Sequence, residues 1–202
     1  MEILDNFIVF EGLDGAGTTT QAKLLAKALL ERSMNNFLTC EPTDHEIGRL
    51  IRKVLAGEVK ITHKALAMLY AADRDDHIYG TDGIIEHLEK NDYVISDRYL
   101  FSSEAYQSIN TPFEEVAELN SRFPMPQYLI YIDTPVDHCM QRIESSRTTK
   151  DIFEHSQFQQ SVYENYDIAL SNLSDKIMLI RLDGTLAIEE IQHEILRIIL
   201  SE

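Results

Sequence analysis

One stretch constrains the fold more than any other: Phe7-Ile8-Val9-Phe10-Glu11-Gly12-Leu13-Asp14-Gly15-Ala16-Gly17-Thr18-Thr19-Thr20-Gln21. A buried strand runs into a glycine-rich turn and then into a helix start. This is the layout of a phosphate-binding P-loop, G-x-x-x-x-G-K-[ST], with Thr18 where the lysine belongs. Gly12, Gly15 and Gly17 let the backbone curl until consecutive N–H groups face inward. The helix beginning near Thr18 adds the positive end of its dipole. What is missing is the cation that would reach the terminal phosphates. An ordinary strand-to-helix turn would use glycines for tightness alone, but the rest of the chain supplies parts that match a phosphate site.

Apolar, β-rich runs alternate with helical ones along the whole chain, with no repeat, low-complexity tract or linker. Strands read over Phe7–Glu11, Phe37–Glu41, Tyr93–Asp97, Gln127–Asp133 and Lys176–Leu182. Helices read over Thr19–Arg32, Asp44–Leu55, His63–Tyr79, Ile84–Lys90, Pro112–Arg122, Pro135–Ser145, Glu154–Asn172 and Ile188–Leu200. The continuous apolar runs Ile8-Val9-Phe10, Tyr93-Val94-Ile95 and Tyr128 to Ile132 predict strands buried on both faces. Thr43 to Glu46 and Thr111 to Glu114 fit capping boxes, the second with Pro112 at the first helical position, and Thr134-Pro135 repeats that signal. Such alternation predicts an α/β fold with a parallel sheet and right-handed crossovers. Ligands then gather beyond the carboxyl ends of the strands, where Glu11, Glu41, Asp97 and Asp133 stand on the rim of the P-loop.

Length sets one domain as the expectation for 202 residues. A net charge of −16 argues against nucleic acid polymers, whose phosphates need a basic surface. It leaves room for a small phosphorylated substrate, because a few local cations and N–H groups outweigh the global field. No apolar run is long enough to span a bilayer, and Met1 to Asn6 lacks the basic and apolar regions of a signal peptide. Cys40 and Cys139 have no metal-ligand spacing and read as small core residues in a reducing cytoplasm; the scattered histidines give no metal pair.

Three further segments bear chemistry. In Val94-Ile95-Ser96-Asp97-Arg98-Tyr99, Asp97 at a strand end is placed to hold Mg²⁺ beside the P-loop hydroxyl of Thr19. Arg98 is placed to grip a phosphate as a bidentate fork. On the helix around Tyr70-Ala71-Ala72-Asp73-Arg74, Tyr70 and Arg74 share a face at i, i+4 and could stack on a base and bond its edge. Taken alone, that segment reads better as a core tyrosine beside an exposed Arg–Asp pair. The polar stretch from Arg147 to Glu154, with Lys150, suits a basic flap over a triphosphate as well as it suits a plain hairpin loop.

Together these constellations resemble the thymidylate kinase family, from Phe7 to about Asp183, in order and spacing. Phe10 to Gly17 resembles the family's P-loop, and Glu41-Pro42-Thr43 with Gly48 and Arg52 resembles its E-P segment. Tyr70 to Arg74 with His77 resembles the nucleobase helix. Asp97-Arg98-Tyr99 with Ser102, Ser103, Ala105, Tyr106 and Gln107 resembles the D-R-[YH] signature. The resemblance implies a P-loop NTPase-type three-layer fold: a five-stranded parallel sheet flanked by helices, in one domain over 1–202 with a LID at about 145–153. It implies transfer of a phosphoryl group from ATP to dTMP with Mg²⁺, usually by a homodimer. ATP would lie on Gly12, Gly15, Ala16, Gly17, Thr18, Thr19 and Thr20 under the LID. Asp14 would accept from the 3′-hydroxyl, and Tyr70, where the family usually has Phe, would stack on thymine. Arg74 and Gln107 would read the base, Arg98 would hold the monophosphate, and Ser102, Ser103 and Tyr106 would complete the pocket. Thr19 and Asp97 would hold the metal; Arg98, Arg147, Lys150 and Asp14 would be the catalytic set.

The chain departs from the family pattern twice. Thr18 replaces the P-loop lysine, and the LID pattern D-R-x-E reads Asp151-Ile152-Phe153-Glu154. Members with Gly at the position of Gly15 usually rely on LID cations, so Arg147 and Lys150 would bear an unusual share. Losing one preorganised donor costs about 10²–10³ in rate. Two other activities compete: a deoxynucleoside kinase, with Glu41 as general base, and a nucleotide-binding protein with weak catalysis.

Overall fold

The computed structural model describes residues 2–146, 156–171, 173 and 177–200, the side chains of 144–146 excepted. Five strands form one parallel sheet: β1 Ile3–Gly12, β2 Asn36–Cys40, β3 Tyr93–Asp97, β4 Met125–Asp133 and β5 Met178–Asp183. Their order is β2-β3-β1-β4-β5, and every pairing is parallel. The helices are α1 Thr18–Glu31, α2 Glu46–Leu55, α3 His63–Tyr79, α4 Ile84–Glu89, α5 Leu100–Gln107, α6 Phe113–Asn120, α7 Val136–Ser146, α8 Ser156–Ser171 and α9 Ile188–Ile199. Helix α1 packs on β1, β2 and β3 and beside α9, while α5 packs against α3, α6 and α8. The parallel sheet flanked by helices is the α/β fold that the strand–helix alternation predicts, and it has the five strands and P-loop NTPase-type layout that the family resemblance implies.

The central strands are sealed on both faces, as their continuous apolar sequence requires. Phe7, Ile8, Val9 and Phe10 of β1, Val94 and Ile95 of β3, and Leu129, Ile130 and Ile132 of β4 have no exposed surface. Because β1 lies between β3 and β4, its carboxyl end meets theirs, and the loops after all three converge on one rim.

Several local expectations change. Helix α5 is absent from the sequence-based reading because it has no polar stripe: Leu100, Phe101, Ser102, Ser103, Ala105, Tyr106 and Gln107 are all buried. The capping boxes do not form. Helix α2 starts at Glu46 rather than Asp44: the Thr43 hydroxyl donates to Asp73 Oδ1 at 2.6 Å, and its oxygen accepts from the His45 N–H at 3.2 Å instead of from the third residue on, as a capping box would require. Helix α6 starts at Phe113 with Pro112 at the N-cap, and Thr134 turns its hydroxyl to the Ala16 carbonyl at 3.4 Å. Cys139 is buried in the core, whereas Cys40 on edge strand β2 is only partly covered. Strand β5 begins at Met178; the predicted start at Lys176, both ends of the predicted helix Glu154–Asn172, and the LID residues Arg147 and Lys150 lie outside the described residues.

Candidate active site

The P-loop is the five-residue turn from β1 to α1. Gly15 (φ 84°) and Gly17 (φ 107°) take left-handed conformations that only glycine adopts freely. A Cβ on Gly15 would also stand 2.7 Å from the Cys139 carbonyl. Arg142 Nη1 donates to the carbonyls of Gly15 and Ala16 at 3.3 and 3.1 Å, and Arg142 Nη2 donates to Gly184 at 2.7 Å. The Ala16 carbonyl thus points at Arg142 and Thr134, so the Gly17 N–H in the same planar peptide unit points the opposite way. Thr18, in the lysine's position, is a buried residue at the first turn of α1.

Arg98 follows β3 in a left-handed conformation, φ 77°, with its N–H on the Phe10 carbonyl at 2.9 Å. For a non-glycine residue that conformation stores strain, which persists where the surroundings over-determine it. Here they do. Arg98 Nη2 pairs with Asp14 Oδ1 at 2.6 Å, and Nη1 donates to the Gly12 carbonyl, Ser102 Oγ and the Tyr166 hydroxyl at 3.1, 3.0 and 3.3 Å. Its ion pair is therefore with Asp14 across the cleft, not with the adjacent Asp97. Asp97 Oδ2 instead accepts from Thr19 Oγ1, and Asp97 Oδ1 is buried without a hydrogen-bond partner among the described residues.

Beneath Arg98 lies Glu11, which is fully buried. Oε1 accepts from the N–H groups of Tyr99 and Ser102 at 2.9 and 3.1 Å, and Oε2 accepts from the Tyr166 hydroxyl at 2.8 Å and from Ser102 Oγ. Burial pushes its carboxyl up to about 7; Arg98 and these hydrogen bonds pull it part of the way back. Glu11 anchors the start of α5, which carries Ser102, Ser103, Tyr106 and Gln107 into the cleft.

Arg74 on α3 departs most from its sequence reading: it is fully buried rather than part of an exposed Arg–Asp pair. Nη2 donates to Glu41 Oε2 at 2.6 Å and Ser103 Oγ at 2.9 Å, and Nη1 donates to Asn120 Oδ1. Arg74 Nε is buried without a partner among the described residues. Tyr70, one turn earlier, is half-buried.

Two cavities meet at Asp14 and Arg98. One is lined by every residue expected around the monophosphate: Asp14, Tyr70, Arg74, Arg98, Ser102, Ser103, Tyr106 and Gln107, joined by Glu41, Pro42, Leu55 and Tyr99. The other is lined by the P-loop from Gly15 to Thr20 together with Arg142, Gly184, Leu186 and Ile188. Gly12, expected with the ATP set, does not line this second cavity, and Asp97 joins Thr19 in a third cavity, on the β2 side. Thus two pockets share a wall with an arginine in it, one pocket floored by a P-loop and the other roofed by an aromatic–arginine helix.

A family model described as thymidylate kinase matches residues 10–195. The chain belongs to the thymidylate kinase family. Among its relatives, a probable thymidylate kinase of Methanococcus aeolicus is 40% identical over 199 residues, covering 96% of this chain and 95% of its own. A probable thymidylate kinase of Methanocaldococcus jannaschii is 39% identical over 197 residues, covering 96% of each chain. Within this thymidylate kinase framework the sequence-based reading omitted three groups. Arg142 braces the P-loop from outside, Tyr166 joins Glu11 to Arg98, and Asn120 holds Arg74. Arg142 and Tyr166 come from helices distant in sequence, and no local pattern marks them.

Proposed function

We propose that the chain transfers the γ-phosphoryl group of ATP to dTMP, giving ADP and dTDP. The observation that carries this reading is the pair of cavities that meet at Arg98 and Asp14, one with the P-loop and one with Tyr70 and Arg74. Phosphoryl transfer asks the protein for positioning and charge neutralisation rather than covalent chemistry. A guanidinium on the shared wall is where donor and acceptor phosphates would approach each other.

Asp14, Arg98, Ser102, Ser103, Tyr106 and Gln107 line the acceptor side, with Tyr70 for base stacking and Arg74 for base reading. Arg74 Nε suits a thymine carbonyl, since it is the nitrogen of that guanidinium left without a protein partner among the described residues. Gly12, Gly15, Ala16, Gly17, Thr18, Thr19 and Thr20 form the donor side, with the LID cations Arg147 and Lys150 expected to close over it.

Thr19 and Asp97 fit a Mg²⁺ ion. Asp97 Oδ1 is a buried acceptor with no donor, beside the Thr19 hydroxyl, and hard cations favour such oxygen ligands. When bound, the ion would neutralise charge on the β- and γ-phosphates. A single domain over 1–202 with its LID at about 145–153, a homodimeric assembly and a cytoplasmic setting complete the reading; the match over residues 10–195 supports the first of these. No described helix is long and apolar enough to cross a membrane.

A coupled ADP-release assay with ATP, Mg²⁺ and either dTMP or thymidine tests the activity. ADP release with dTMP and none with thymidine is expected. Release with thymidine alone would instead favour a deoxynucleoside kinase using Glu41, although Glu41 is already committed to Arg74 and His77.

A further inference from the structure

Three buried groups interlock where the end of β2 meets α3. Glu41, Arg74 and His77 are 4%, 0% and 3% exposed. Arg74 and His77 stand three residues apart on one helix face and converge on the same carboxylate. Arg74 Nη2 donates to Glu41 Oε2 at 2.6 Å, and His77 Nδ1 lies 3.1 Å from Glu41 Oε1. The far ring nitrogen, Nε2, lies 2.7 Å from Thr39 Oγ1 on β2. A neutral imidazole serves both contacts with its proton on Nδ1, donating to Glu41 and accepting from the Thr39 hydroxyl.

The backbone around Glu41 is fixed independently. Asp73 Oδ2 accepts from the Thr43 N–H at 2.7 Å, and Arg52 Nη2 donates to the Pro42 carbonyl at 2.6 Å. The freedom left in this corner belongs to the Glu41 side chain, and each of its oxygens is held by one residue of α3.

We propose that His77 is a positioning residue for dTMP: by occupying Glu41 Oε1 it confines Arg74 to Oε2, and so fixes the orientation of the Arg74 guanidinium in the wall of the acceptor cavity. This rests on the reading of that cavity as the dTMP site. A buried carboxylate oxygen that loses its donor is costly, and the nearest replacement is the guanidinium already beside it. Without His77, Glu41 turns to take Arg74 with both oxygens in the fork geometry carboxylate–arginine pairs favour. The guanidinium plane rotates with it, and the edge that it offers to the acceptor cavity changes. His77 itself does not line the acceptor cavity but stands on the third one with Thr19 and Asp97, so an effect confined to dTMP, with ATP and turnover untouched, is what marks the route through Glu41 and Arg74.

The test compares wild type, His77→Leu and His77→Asn for KM of dTMP, KM of ATP and kcat. The asparagine amide keeps a donor near the position of Nδ1; leucine keeps the volume alone. His77→Leu is expected to raise the KM for dTMP about tenfold or more, with kcat and the KM for ATP within about twofold, and His77→Asn to recover most of the loss. A His77→Leu enzyme with wild-type KM for dTMP overturns the proposal. So does an equal rise for both substrates, or an equal loss in the Leu and Asn variants. If His77→Leu does not fold, Thr39→Val decides. It removes the hydroxyl that orients the ring, and a dTMP-selective rise in KM of about threefold supports the proposal, whereas no change overturns it. Turnover of dTMP by wild type, measured first, tests the functional reading separately. Only the difference between variant and wild type tests His77.

Discussion

The two sides of the cleft are finished to different degrees. On the acceptor side every charged group has a fixed partner: Arg98 is tied to Asp14, Ser102 and Tyr166, and Arg74 to Glu41, Ser103 and Asn120. On the donor side the P-loop has its glycine conformations and its brace from Arg142, but a threonine replaces the cation that would enter it. The contrast teaches that preorganisation is concentrated where the smaller, more demanding substrate is read. On the proposed reading, charge neutralisation on the donor side is left to groups that arrive with ATP and to the expected LID cations Arg147 and Lys150.

Breaking the shared wall should have the largest effect. Arg98→Ala removes the guanidinium that, among the described residues, lines both cavities, and should lower turnover about 10³-fold, measured as kcat by ADP release. A loss under tenfold would mean that the two sides do not meet at Arg98. Next comes the donor side. Arg147→Ala should lower kcat about 10²-fold while the KM for dTMP stays near wild type, because the charge it meets develops mainly in the transition state. An unchanged kcat would remove the LID arginine from the mechanism.

The acceptor side should respond in binding and stability together. Arg74→Ala should weaken dTMP by about 1–3 kcal/mol in calorimetry. It should also cost about 3–5 kcal/mol in denaturant unfolding, because Glu41 is left buried with its main partner gone. A variant that loses dTMP affinity at full stability would show that the Glu41–Arg74 pair is not formed in solution.

Glu11 should leave the least mark on turnover and act on stability instead. Its folded pKa of about 7 lies above the ordinary 4.5, because of burial. Between those values the folded state holds a proton that the unfolded chain has released, so stability falls as pH rises through this window. The full contribution is ~3 kcal/mol. Glu11→Gln should flatten this slope between pH values of about 4.5 and about 7, read from unfolding midpoints; an unchanged slope would place the titration elsewhere.

Much of this was legible in the chain because it is written locally. The P-loop glycines, the apolar runs of β1, β3 and β4, and the adjacent pair Asp97-Arg98 each signal within a few residues. The acceptor residues were legible by family resemblance, and they do share one cavity. Long-range chemistry was not legible. Nothing beside Arg74 shows that Glu41 and Asn120 will bury it, and nothing beside Glu11 announces Tyr166. Helix α5 escaped because a helix buried on nearly all sides shows no amphipathic period. The capping box at Thr43 misled because its hydroxyl is held by Asp73, thirty residues away, with its oxygen turned to the His45 N–H rather than into the helix.

The most direct test of the account is transfer of label from γ-labelled ATP to dTMP by the wild-type enzyme in the presence of Mg²⁺, with the product identified chromatographically. The account predicts labelled dTDP even though Thr18 stands in the P-loop. Absence of labelled dTDP at high enzyme concentration, with dTMP still bound, would contradict it and leave a nucleotide-binding protein whose donor side no longer works.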